Sequence, residues 1–115
     1  MIRRFPAAGL GRCDAVAADG YVYAVATDPD CADGVAAQAR NTLRELDRIL
    51  EKAGSGKPGL LQATVYLSDV STKPEMDAVW REWIGPKENW PQRACVGVGL
   101  DDGYLIEIVV TAKLL

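Results

Sequence analysis

Histidine is absent from this 115-residue chain. Without imidazole there is no Ser–His–Asp or Cys–His nucleophile system, no His-based acid/base pair and no metal site of the usual imidazole kind. Cysteine is scarce: Cys13, Cys31 and Cys95 are odd in number, widely spaced and form no CxxC pair. That pattern argues against a structural zinc, an iron–sulfur cluster or a disulfide framework. No apolar run approaches the ~20 residues of a membrane helix. The opening MIRRF is followed by PAAGLGRCDA rather than by an apolar stretch of signal-peptide length, so a cytoplasmic protein with no membrane partner is expected. Basic residues are not in excess either. Thirteen Lys+Arg stand against sixteen Asp+Glu, a net charge of −3, which excludes a general electrostatic grip on nucleic acid although not a local basic pocket.

What is present suits one globular domain spanning residues 1–115. Hydrophobic residues make up 49% and charged residues 25%, and a chain of this length can bury a core without staples. Asp19-Gly20 between residues 15–18 and 21–27 predicts a two-residue hairpin. Val35, Ala39, Leu43, Leu46, Leu50 and Ala53 recur at spacings of four and three and predict a helix over 33–53, with Asp33 as N-cap and Gly54 as its stop. Residues 60–68 alternate and are rich in β-formers, so they read as a strand. Thr72 with Glu75 has the form of a capping box. Met76, Val79, Trp80 and Trp83 line one face of the second helix, which ends at Gly85-Pro86. The tryptophans follow the helical period and are therefore expected in the core.

Residues 93–100 and 104–113, joined by Asp101-Asp102-Gly103, read as a second hairpin. The order β-β-α-β-α-β-β implies an α+β fold with both helices on one face of a mixed sheet. The crossover through 33–53 implies at least one parallel pair. The final strands are apolar on both sides, so the uncovered sheet face is expected to meet another subunit.

Two charged residues sit in surroundings that do not suit charge. Arg93 opens the strand Gln92-Arg93-Ala94-Cys95-Val96, and Glu107 lies within Leu105-Ile106-Glu107-Ile108-Val109. Charges are seldom buried unless paired or functional. In a hairpin folded near residue 100 the two would be neighbours. They would form either an ion pair that sets strand register or an anion clamp beside a carboxylate able to orient water. Cys95 would share the face of Arg93, and a lone Cys there reads first as a small packed hydrophobe.

Several stretches together carry a family resemblance. They are Gln38-Ala39-Arg40-Asn41-Thr42-Leu43 leading to Ile49-Leu50-Glu51-Lys52-Ala53-Gly54, then Ala63-Thr64-Val65-Tyr66-Leu67-Ser68-Asp69, Met76-Asp77-Ala78-Val79-Trp80, Pro91-Gln92-Arg93-Ala94-Cys95-Val96 and Ile106-Glu107-Ile108. In this order the chain resembles the Rid (reactive intermediate deaminase, YjgF-type) family, also known as endoribonuclease L-PSP-like. The resemblance implies a chorismate-mutase-like fold, a homotrimer with clefts between subunits, and no cofactor. It implies hydrolysis of enamines and imines such as 2-aminoacrylate to 2-keto acids and ammonia. Arg93 falls on the residue that grips the substrate carboxylate, Glu107 on the one that positions water, and Cys95 on the pocket cysteine.

The family's Gly-Pro-Tyr-Ser-like segment reads Gly11-Arg12-Cys13-Asp14 here, so Arg12 stands at the pocket aromatic. The Ser-Gly-Gln-like strand end reads Val25-Ala26-Thr27, which puts Ala26 in the pocket wall. The leading expectation is thus a metal-free imine hydrolase acting on small carboxylates. A non-catalytic trimeric binder of such carboxylates is the alternative, and RNA cleavage is a distant third.

Overall fold

The computed structural model describes residues 1–115. Six strands form one sheet: β1 (Arg3–Pro6), β2 (Cys13–Ala18), β3 (Tyr21–Ala26), β4 (Leu60–Leu67), β5 (Gln92–Gly97) and β6 (Ile106–Lys113). Their spatial order is β1-β2-β3-β6-β4-β5. Two helices, α1 (Val35–Ala53) and α2 (Lys73–Ile84), bury their apolar sides against one face. This is the expected α+β architecture, with β1 added. That strand reads Arg-Arg-Phe-Pro and pairs with β2 at the sheet margin. It is too short and too charged to announce itself by alternation.

The β2–β3 hairpin forms where Asp19-Gly20 predicts it. Both turn residues have positive φ, 53° and 86°, the mirror-image turn whose twist matches its strands. Every stripe residue of α1 is buried, joined by Gln38, Thr42 and Ile49, and Gly54 ends the helix in the left-handed region. The N-cap differs from expectation. Gly34, at φ 84°, occupies that position without a side-chain hydrogen bond, because Asp28 rather than Asp33 anchors the preceding loop. The fully buried Asp28 carboxylate accepts from the Asp30 and Ala32 amides, both at 2.8 Å, and from Asn41 Nδ2 at 3.1 Å.

The capping box at α2 does not form either. Residues Val70–Thr72 already make a tight 3-10 turn, so the Thr72 hydroxyl donates back to the Asp69 carbonyl at 2.6 Å instead of accepting from the helix. Trp80 is buried as expected, while Trp83 is half-buried and donates its indole N–H to Asp47 at 2.9 Å. That bond ties α2 to α1.

The largest departure lies at the C-terminal end. Residues 93–100 and 104–113 do not make a hairpin: β4 lies between β5 and β6, antiparallel to β6 and parallel to β5. The Asp-Asp-Gly turn sits inside a longer connection that steps across the end of β4. Val98 donates to Leu67 O at 2.9 Å and Ser68 donates to Leu105 O at 3.1 Å, clipping both ends of the connection to that strand. The parallel pair therefore comes from the β4–α2–β5 crossover. The crossover through α1 joins β3 to β4, which run the same way with β6 between them.

The doubly apolar reading of β6 also needs correction. Ile106, Ile108, Val110 and Ala112 are buried under the helices, whereas Glu107, Val109, Thr111 and Lys113 look outward. The open sheet face is mixed, its apolar part supplied by Tyr21, Tyr23, Val96 and Val109.

Candidate functional site

Strand register decides where the two unusual charges go. Arg93 pairs with Ala63, and Ala63 pairs with Val110 on its other side; both of these partners are buried against the helices. Glu107 pairs with Tyr66, and Tyr66 with Val96. Ala63 and Tyr66 lie three residues apart on β4. Because side chains alternate along a strand, Arg93 and Glu107 project from opposite faces of the sheet. They are not neighbours within one chain, and the expected Arg93–Glu107 pairing is absent for that reason.

Arg93 has a different partner, one the sequence did not single out. Its Nη2 donates to Asp77 Oδ1 at 2.6 Å, and its guanidinium lies 5.0 Å over the Trp80 ring. Lys73, one helical turn before Asp77, reaches the second carboxylate oxygen at 2.8 Å. Burial raises the Asp77 carboxyl pKa, but the hydrogen bonds and charges of Lys73 and Arg93 outweigh it and hold the group below the ordinary carboxylate range. The i, i+4 spacing of Lys73 and Asp77 was visible in the sequence; only the packing of α2 on β5 brings Arg93 to them. Arg93 opens onto a groove of about 410 Å³ walled by Trp80, Trp90 and Arg81. Cys95 shares the face of Arg93, its partner Val65 being fully buried, and packs half-buried against the core.

Glu107 lies in a separate cleft of about 710 Å³. It is formed by the β1–β2 turn, the end of β3, the β5–β6 connection and one flank of α1. Arg12, Ala26, Thr27 and Tyr104 contribute to its lining together with Glu107. The structure thus brings together three of the five expected site residues, Glu107, Arg12 and Ala26, and places Arg93 and Cys95 elsewhere.

The framework of this cleft is polar and buried. Asp28 secures the loop after β3. Burial raises its pKa, but the Ala32, Asp30, Asn41 and Cys31 hydrogen bonds more than offset that and lower it overall. Gln38 spans the gap between α1 and the β5–β6 connection. Its Nε2 donates to Ala32 O at 2.9 Å and to Gly103 O at 2.8 Å, and its Oε1 accepts from the Leu105 amide at 2.9 Å. Sequence reasoning gave neither residue a structural role. A buried polar residue within a helical stripe was the available signal, since such a group persists only when its hydrogen bonds are satisfied.

The family model described as endoribonuclease L-PSP matches residues 12–114. A RutC family protein of Haemophilus ducreyi is 37% identical over 78 residues, covering 67% of this chain and 66% of its own length. The RutC family protein YoaB of Escherichia coli K12 is 36% identical over 78 residues, covering 67% and 68%. The crystal structure of NMB1025, a member of the YjgF protein family from Neisseria meningitidis, superposes with a TM-score of 0.90 at 31% identity, covering all of this chain and 96% of that one. The chain belongs to the endoribonuclease L-PSP family, the YjgF/RutC group, and has its α+β fold.

Proposed function

We propose that this chain is one subunit of a homotrimeric hydrolase acting on small carboxylate-bearing imines and enamines. One observation carries the reading: the charged residues suited to that chemistry are both present, but on opposite faces of one sheet. Arg93 stands on β5, a terminal strand whose outer edge has no partner, and Glu107 stands in a cleft beyond β6. A head-to-tail contact that places the β5 side of one copy against the Glu107 cleft of the next joins them, and with a rotation of about 120° per copy it closes into a ring of three. The exposed Tyr21, Tyr23, Val96 and Val109 supply apolar area for it.

In the shared site Arg93 binds the substrate carboxylate. Asp77 occupies one guanidinium nitrogen and fixes its plane, which leaves other N–H donors for the ligand. Glu107 accepts a proton from water as the water oxygen bonds to the imine carbon, and passes that proton to the nitrogen. Glu107 then moves the hydroxyl proton to nitrogen as well. The C–N bond breaks, ammonia leaves and a 2-keto acid remains. An enamine enters by first shifting a proton to carbon.

The test is complementation. Arg93→Ala and Glu107→Gln trimers should each lose ~30- to 1000-fold in kcat/KM on 2-aminoacrylate generated in situ. Unfolded, mixed one-to-one and refolded together, they should regain about a quarter of wild-type activity, because roughly one contact in four then carries both native residues. Inactive singles with no rescue on mixing would reject a site shared between chains. Full activity in either single variant would reject the hydrolytic roles.

A further inference from the structure

The cleft around Glu107 offers room and a cation beyond what a three-carbon substrate uses. In the isolated chain, before a neighbouring copy covers it, its volume is about 710 Å³, ample for a four- or five-carbon dicarboxylate. Its lining carries four carboxylates, from Asp14, Glu45, Asp101 and Glu107, and a single cation, Arg12. Glu45 is already engaged by Arg48 in bonds along α1. Arg12 is not comparably engaged: its nearest carboxylate, Asp14, is 3.8 Å away, beyond the range of a charge-assisted hydrogen bond.

The Arg12 side chain is 63% exposed, and its backbone is held in place. Residues 7–12 form the turn between β1 and β2, closed by the Ala7 amide donating to Arg12 O at 3.1 Å. The guanidinium lies against Gly9. A Cβ on that glycine would stand 3.2 Å from Nε, 3.6 Å from Nη2 and 3.7 Å from Cζ. A side chain at residue 9 would crowd the guanidinium, which would have to shift by a few tenths of an ångström.

We infer that Arg12 binds a second acidic group on the substrate, so that the preferred substrates are imines of dicarboxylic 2-keto acids. The inference rests on the hydrolase reading above. The α-carboxylate goes to Arg93 of the neighbouring copy, the imine carbon goes to Glu107, and the side-chain carboxylate goes to Arg12. Among so many cleft carboxylates, a distal anion finds one favourable place, and Arg presents the planar fork that suits it.

The experiment compares the imine of aspartate with the imine of alanine, each generated by an amino-acid oxidase, with the remaining imine trapped by semicarbazide. The readout is the ratio of the two kcat/KM values. Wild-type protein should favour the dicarboxylic imine at least tenfold. Arg12→Ala should bring the ratio close to unity, and Arg12→Lys should keep part of it. Melting shifts with 2-oxoglutarate and pyruvate provide a second readout that needs no turnover.

A wild-type ratio near unity, or one that Arg12→Ala leaves unchanged, overturns the inference and leaves the hydrolase reading standing. No turnover of either imine, with 2-oxoglutarate still stabilising the protein through Arg12, overturns the hydrolase and supports the dicarboxylate site. Absence of both turnover and stabilisation overturns both.

Discussion

Asp28 and Asp77 are the side chains through which acid should act on this protein. Both carboxyls have pKa values held below their ordinary range in the fold. The unfolded chain therefore binds protons at a higher pH than the folded one. The stability they contribute is complete above the unfolded carboxylate value of about 3.9 and is lost as pH falls through their lower folded values. Asp28→Asn and Asp77→Asn should each flatten the fall in melting temperature below about pH 4, as calorimetry at stepped pH would show; unchanged slopes would mean that other groups govern acid unfolding. Asp28→Ala should cost about 2–4 kcal/mol at neutral pH in denaturant titration, since it strands the amides of Asp30 and Ala32 and the Asn41 side chain. Cys95 is a different case. It packs against the core, no histidine is present to activate it, and the proposed hydrolysis by water needs no thiol nucleophile. Cys95→Ser should retain most of the proposed imine turnover, and complete loss with the fold intact would show that assignment to be mistaken.

Among the secondary elements, the buried face of α1 was legible because its period of 3.6 coincides with its burial: Val35, Ala39, Leu43, Leu46, Leu50 and Ala53 are all below 5% exposed. Leu46→Ala should cost about 2–5 kcal/mol. The element ends were less legible. A capping pattern states which hydrogen bonds are possible; α1 starts at Gly34 with no side-chain cap, and Thr72 bonds back to Asp69 instead of capping α2. The connection from α1 to β4 depends on a contact with no sequence signature. Gly59 passes so close to β6 that a Cβ would meet Lys113 O at 2.5 Å and Ser55 Oγ at 2.8 Å, while Ser55 Oγ donates to that same carbonyl at 2.6 Å. Gly59→Ala should destabilise by about 1–3 kcal/mol, with hydrogen exchange accelerating first at the end of β6. Unaltered exchange there would show that the strand accommodates the methyl group.

For the whole molecule, the expected outcome is a particle of three times 12.4 kDa in light scattering. A charge placed on the open face by Val109→Lys should shift it toward monomer with little change in secondary structure. A monodisperse wild-type monomer at micromolar concentration would remove the shared site. The sequence by itself determined the two helices, the β2–β3 hairpin, the core stripe and, through an ordered set of short motifs, the family. Each of these depends on local periodicity or on residues close together in the chain. Only the tertiary structure decided strand order, because apolar, β-rich composition marks residues 93–100 and 104–113 as strands and says nothing about which strand pairs with which. The insertion of β4 between them sent Arg93 to Asp77 and Glu107 to a separate cleft. Pairing over long sequence separation is set by how helices and strands share one core, and a single displaced strand changes which side chains can meet.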